Sequence, residues 1–154
     1  MRPEKPIDMQ TKQTVTQQQP ESPPPSGAAA TLPRVFIIQQ PRPKADGWTP
    51  SFDSAAKYGG LHYIFNKDER AEADPKAAME RVETALMDFN PEKDYILPTI
   101  FGDPATTWVT LLFLGPYLWE RGFDTIKFLY WSRGKGPEGM SNDVGYYKPV
   151  EVPL

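Results

Sequence analysis

The stretch DYILPTIFGDPATTW, residues 94–108, decides the fold. Tyr95, Ile96 and Leu97 read as the centre of a buried strand, and Pro98 marks a bend or the strand's end. Gly102-Asp103-Pro104 then starts a helix, with Asp103 as N-cap and Pro104 at the first helical position. A strand that enters a helix through a tight turn is the joint from which α/β sheets are built. The helix runs to about Arg121, where Gly122 ends it. It is apolar nearly all round, so it needs cover on more than one side, from its own sheet and a neighbouring element or from another chain. Pro116 predicts a kink in it or a split into two.

Working outward, RVFIIQQP (34–41) is a first strand, and its continuous apolar run suits a sheet covered on both faces. A loop, KADGWTPSFDSAAKYGG (44–60), carries one helical turn at 53–58 and ends at Gly59-Gly60. LHYIF (61–65) is a second strand. In NKDERAEADPKAAMERVETALMDFNP (66–91), Asp74 caps a helix that opens on Pro75. Met79, Val82, Leu86 and Phe89 form its apolar stripe, and Asn90-Pro91 stops it. TIKFLYW (125–131) is a fourth strand. A glycine-rich loop follows, and YYKPVEVPL (146–154) gives a last strand able to pair with the fourth as a long-looped hairpin. The order β-β-α-β-α-β-β predicts an α/β domain over residues 34–154. It has a central mixed sheet of about four or five strands, two main helices and parallel β-α-β crossovers.

Residues 1–33 are different in kind. Gln, Pro, Ser and Ala dominate, and apolar residues are isolated, so the segment cannot offset its chain entropy by burial. It predicts a disordered Pro/Gln-rich tail, read either as a docking tether or as an inert extension. No signal-peptide run is visible, and the apolar stretch 105–119 is too short to span a membrane. These features predict a soluble, cytoplasmic protein.

The chain has 154 residues, 17 Lys and Arg against 20 Asp and Glu, and a net charge of -3. Bulk charge of that sign argues against wrapping by nucleic acid. The absence of cysteine excludes disulfides, thiolate nucleophiles and Cys-ligated zinc.

Gly102-Asp103-Pro104 admits two readings. A helix N-terminus can bind an anion, Gly102 would let a ligand reach the backbone, and Thr106 and Thr107 would add hydroxyls. Against this, Asp103 is itself an anion at that end, and neither a P-loop nor a Gly-x-Gly-x-x-Gly spacing is present. Gly102, Asp103, Thr106 and Thr107 are therefore candidate ligand residues beside a plain capping role. In FLYWSRGKG, Lys127, Tyr130, Trp131, Arg133 and Lys135 interleave rings with cations and are candidate partner-binding residues. The alternative is core alternation with a solvated loop. His62 is the only histidine, and a packed strand residue is the simpler reading. Asp94, Asp103 and Asp124 lie near element ends, where three carboxylates could hold Mg²⁺. Trp48 is either a loop anchor or an exposed recognition residue. No resident cofactor or metal is called for.

The segments FDSAAKYG, DFNPEKDYILPTIFGDP, IKFLYWSR and GYYKPVEVPL together resemble small phage-encoded α/β proteins of uncharacterised function. The resemblance covers 35–154. It implies a phage accessory protein at work in the host cytoplasm, and it brings no reaction and no catalytic residues. The function expected is a non-enzymatic binding module for a host or phage protein. The alternatives are a nucleotide- or phosphate-binding protein or small phosphoryl enzyme using 102–107, and a virion structural protein. Oligomeric state stays open.

Overall fold

The computed structural model describes residues 31–99, 102–134 and 145–154. Residues 1–30 of the predicted tail lie outside these, as does Lys135. The strands are β1 (Arg34–Gln39), β2 (Gly60–Phe65), β3 (Tyr95–Leu97), β4 (Thr125–Arg133) and β5 (Gly145–Pro153), and the helices are α1 (Pro75–Leu86) and α2 (Pro104–Glu120). A short 3-10 helix, Asp53–Tyr58, lies between β1 and β2.

One five-stranded sheet has the order β2-β1-β3-β4-β5. The first four strands are parallel and β5 is antiparallel, so the sheet is mixed as the sequence predicts. The hairpin register runs from Thr125 opposite Pro153 to Arg133 opposite Gly145. β5 forms an edge and carries Pro149 and Pro153, residue types that edge strands tolerate.

β1 shows why its apolar run is unbroken. Phe36 and Ile38 join a core under α1 and α2 with Val82, Leu86, Leu114, Leu118 and Phe128. Val35 and Ile37 point the other way, into a second core with Phe52, Ala55, Leu97, Leu129 and Tyr147 beneath the 3-10 helix. Both faces are thus covered, which a period-two strand can satisfy only by being apolar throughout.

Two local expectations need adjustment. α2 passes through Pro116 as one helix, not two. Gly115, immediately before that proline, has no Cβ to collide with the ring. α1 ends at Leu86, so Phe89 is buried from the turn beyond it rather than from the helix stripe.

The N-terminal ends of the strands are tied by charge. Asp94 is buried and accepts from the Arg34 backbone N–H at 3.0 Å, from Arg34 Nη2 at 2.7 Å and from the Asn90 N–H at 3.0 Å. The Arg34 guanidinium, held first by Asp94 and also by Asp88, has its pKa raised above the ordinary arginine value.

Candidate functional site

The strand order creates a crevice. From β1 the chain leaves toward β2, and from β3 it leaves toward β4, so their carboxyl ends diverge. Ligands of open α/β sheets bind at such a switch point. A cavity of about 210 Å³ lies there, between Gln39, Gln40, Gly102 and Asp103, with Arg42, Lys67 and Arg70 at its rim.

Its floor is made by Gln39, a buried polar side chain at the end of an apolar strand. The Gln39 amide nitrogen donates to the carbonyls of Asn66 at 3.1 Å and Glu69 at 2.9 Å. Its oxygen accepts from the Asp103 N–H at 2.6 Å and lies 3.4 Å from the Thr106 hydroxyl oxygen. Gly102 is needed for this plug: a Cβ there would collide with the Gln39 carboxamide. The close approach that its glycine permits is therefore used by Gln39.

Asp103 completes the joint. Its carboxylate is buried, and it accepts from the Ala105 N–H at 3.1 Å and the Ala71 N–H at 3.1 Å. Burial pushes its pKa up, but the Ala105 N–H, the Glu72 carboxyl and the Ala71 N–H outweigh this and hold it below the usual carboxylate value. The same pairing with Asp103 raises Glu72. The Thr106 hydroxyl donates to the Asp103 carbonyl at 2.5 Å and is fully buried. Only Thr107, half-buried, keeps a partly open side chain among the four candidates. The structure thus brings Gly102, Asp103 and Thr106 together as a capped joint, and the cations stand outside it.

Those cations were missed by sequence reasoning because Arg42, Lys67 and Arg70 lie in loops after two different strands. Arg42 is steered by its Nε donating to the Lys67 carbonyl at 2.6 Å. No ion pair within 4.0 Å involves any of the three among the described residues.

The second surface is the outer side of α2. Thr106, Thr110, Leu114 and Leu118 are its buried face. On the opposite side Trp108, Leu112 and Trp119 are 65%, 66% and 67% exposed. No Asp, Glu, Lys, Arg or His occurs from Pro104 to Trp119. The sequence shows that this helix is apolar all round, but which side the sheet takes emerges only from the packing.

β4 distributes the other candidates over two faces. Trp131 follows Leu129 toward the 3-10 helix side and meets Tyr147 edge-on at 5.0 Å. Tyr130 lies on the other face, 6.2 Å from Phe128. Trp131 also covers Gly145, where a Cβ would stand 2.7 Å from the indole ring and 2.5 Å from the Ser132 carbonyl oxygen. Lys127 donates to the Glu92 carbonyl at 2.6 Å, and Arg133 is exposed at the strand end. The four described members therefore do not form one patch.

His62 is exposed and stacks on Phe36 at 5.6 Å. Asp94 and Asp103 flank opposite ends of β3, and among the described residues no group of three or more His, Asp or Glu gathers as a metal site. Trp48 is half exposed beneath Lys44, whose Nζ lies 4.5 Å from the ring centroid. No helix of the described residues is long and apolar enough to cross a membrane.

No curated protein matches the chain. No solved structure matches it either. A protein-family model matches residues 33–139, which take in β1 to β4, both helices, the crevice and the exposed face of α2. With the greater part of the described fold inside that match, the chain belongs to the phage Pam3 gp32-like protein family.

Proposed function

We propose that this phage-family protein is a non-enzymatic binding module that docks a protein partner on the outer face of α2 in the host cytoplasm. The observation that carries the reading is the exposure of Trp108, Leu112 and Trp119 on one helix side, each about two-thirds open. Large aromatic and aliphatic side chains gathered this way are what interfaces bury at their centre. An internal role does not explain them, because α2 already packs through its opposite side. The test is capture in phage-infected cells with a photo-reactive residue at position 112. Trp108→Ser with Trp119→Ser is expected to abolish the crosslinked species while leaving the fold intact. Equal crosslinking by that variant overturns the reading.

A second reading is supported by the rim of the crevice. Arg42, Lys67 and Arg70 around a switch-point cavity favour an anionic ligand of phosphate or nucleotide type. The binding groups in this reading are side chains, since Asp103 and Gln39 already occupy donors at the start of α2. Binding would raise stability by RT ln(1 + [L]/Kd). Inorganic phosphate, pyrophosphate and a nucleotide panel are the probes. A thermal shift lost in Arg70→Ala supports the reading, and the absence of any shift overturns it.

A further inference from the structure

Residues 108, 112, 115 and 119 follow one another in steps of four, three and four. That is the spacing of a helix-on-helix seam. Here the seam reads Trp, Leu, Gly, Trp, and it lies opposite the buried side of α2. Gly115 makes a notch in it: a Cβ built there meets nothing within 4 Å. The notch has a local use in admitting Pro116, but the space above it stays open.

The seam complements itself. A two-fold axis crossing α2 between residues 113 and 114 sets Leu112 of one copy over Gly115 of the other. The same operation sets Trp108 against Trp119 at both ends. Parallel pairing would instead place Gly115 on Gly115 and leave a void, which packed interfaces avoid. Charge does not oppose the pairing, since the face has no ionisable residue and antiparallel helices align their dipoles favourably. The area is that of a weak, reversible dimer. A tryptophan buries roughly 150–250 Å². Two of them and Leu112, each two-thirds exposed, give with their flanks about 500 Å² per copy. About 1,000 Å² in total is the lower bound for a specific interface. Each copy would cover the other's apolar stripe without a second protein.

We infer that the partner of the α2 face is a second copy of this chain, paired antiparallel across the Leu112–Gly115 step. The inference rests on the reading of that face as a docking surface.

The test is sedimentation velocity on the full chain over a range of micromolar concentrations. The expected result is a monomer–dimer equilibrium that Leu112→Asp shifts to monomer, the variant melting where the unaltered chain melts at dilutions that leave it monomeric. Register is read independently by crosslinking, because the chain has no cysteine. Leu112→Cys mixed with Gly115→Cys should oxidise to a mixed dimer faster than either variant alone, since disulfides need Cα atoms within about 7 Å. Equal self-crosslinking of Leu112→Cys overturns the antiparallel register. A monomer at every concentration overturns the second-copy inference. Acrylamide quenching in a Trp48→Phe, Trp131→Phe background then separates the two failures. Quenchable Trp108 and Trp119 leave the face open for another protein, whereas protected indoles remove the docking surface itself.

Discussion

Gln39 and Gly102 are fitted to each other: a Cβ at residue 102 would run into the Gln39 Oε1 and stand 3.1 Å from the Gln39 Cβ and Cδ. Three hydrogen bonds pin that carboxamide, so it cannot swing aside cheaply. Gly102→Ala is expected to cost about 1–3 kcal/mol through overpacking. In the Gln39→Ala background the same change should cost much less, because the colliding atom is gone. A double-mutant cycle by urea denaturation checks this, and additive effects would show that the two residues are not coupled.

Asp94 and Asp88 both hold Arg34 but in different surroundings. The Asp94 side chain is 3% exposed and that of Asp88 is 70% exposed. Asp94→Ala leaves Arg34 and the Asn90 N–H without their buried acceptor and should cost about 3 kcal/mol. Asp88→Ala should cost under about 1 kcal/mol, as exposed pairs do. Melting temperatures of the two variants decide the order.

The stability of the fold at high pH depends on Tyr147. Burial, with Tyr63 nearby, pushes its hydroxyl up to about 12 from the ordinary tyrosine value of 10.0. The folded state therefore resists ionisation that the unfolded chain accepts. The stability this brings is fully present below about pH 10 and is lost as pH rises toward 12, for a total of about 2 kcal/mol. Tyr147→Phe should flatten the alkaline limb of a denaturation series. An unchanged limb would assign it to Tyr58 and Tyr63, which burial also raises.

The acid limb has the opposite sign. Asp103 titrates below the ordinary aspartate value in the folded protein. Its contribution is present above about pH 4 and is lost as pH falls through the lower folded value. Asp103→Asn should weaken the fold at neutral pH and make it less sensitive to acid. Glu72, raised by its bond to Asp103, runs the other way. Glu72→Gln should not weaken the fold at neutral pH, as urea denaturation at that pH can check.

Trp131 carries structural weight as well as exposed surface. It is 42% exposed, yet its ring covers Gly145 and meets Tyr147. Trp131→Ala should cost about 1–3 kcal/mol, and Gly145→Ala a similar amount, because the added Cβ has no room. A partner assay on Trp131 variants is informative only beside a measured melting temperature.

The sequence exposes the fold well where periodicity and punctuation agree. Asp74-Pro75 and Asp103-Pro104 mark both helix starts, and Gly59-Gly60 closes the 3-10 helix. The parallel strands of the β-α-β pieces and the antiparallel last strand follow from the element order, whereas the parallel pairing of β1 with β2 across a loop and a 3-10 helix does not. The candidate site is less legible. Gly102 signals a close approach, but which group makes it depends on Gln39, 63 residues earlier and on another strand. The cations at the crevice come from separate loops that no local pattern joins. Tyr130 and Trp131 are neighbours in sequence, and the period of a strand sends them to opposite faces. The exposed side of α2 has a readable spacing, but its all-round apolarity hides which stripe the sheet takes.

The two margins of the sheet differ in how they meet solvent. On β5, Pro149 and Pro153 remove two backbone donors, while Lys148 and Glu151 add charge. Such a margin resists recruitment of a further strand. β2, at the other margin, is bonded to β1 and has no proline. β5 is therefore the better guarded of the two margins. Extension of the sheet past β5 is disfavoured by the prolines and charges of that nine-residue strand.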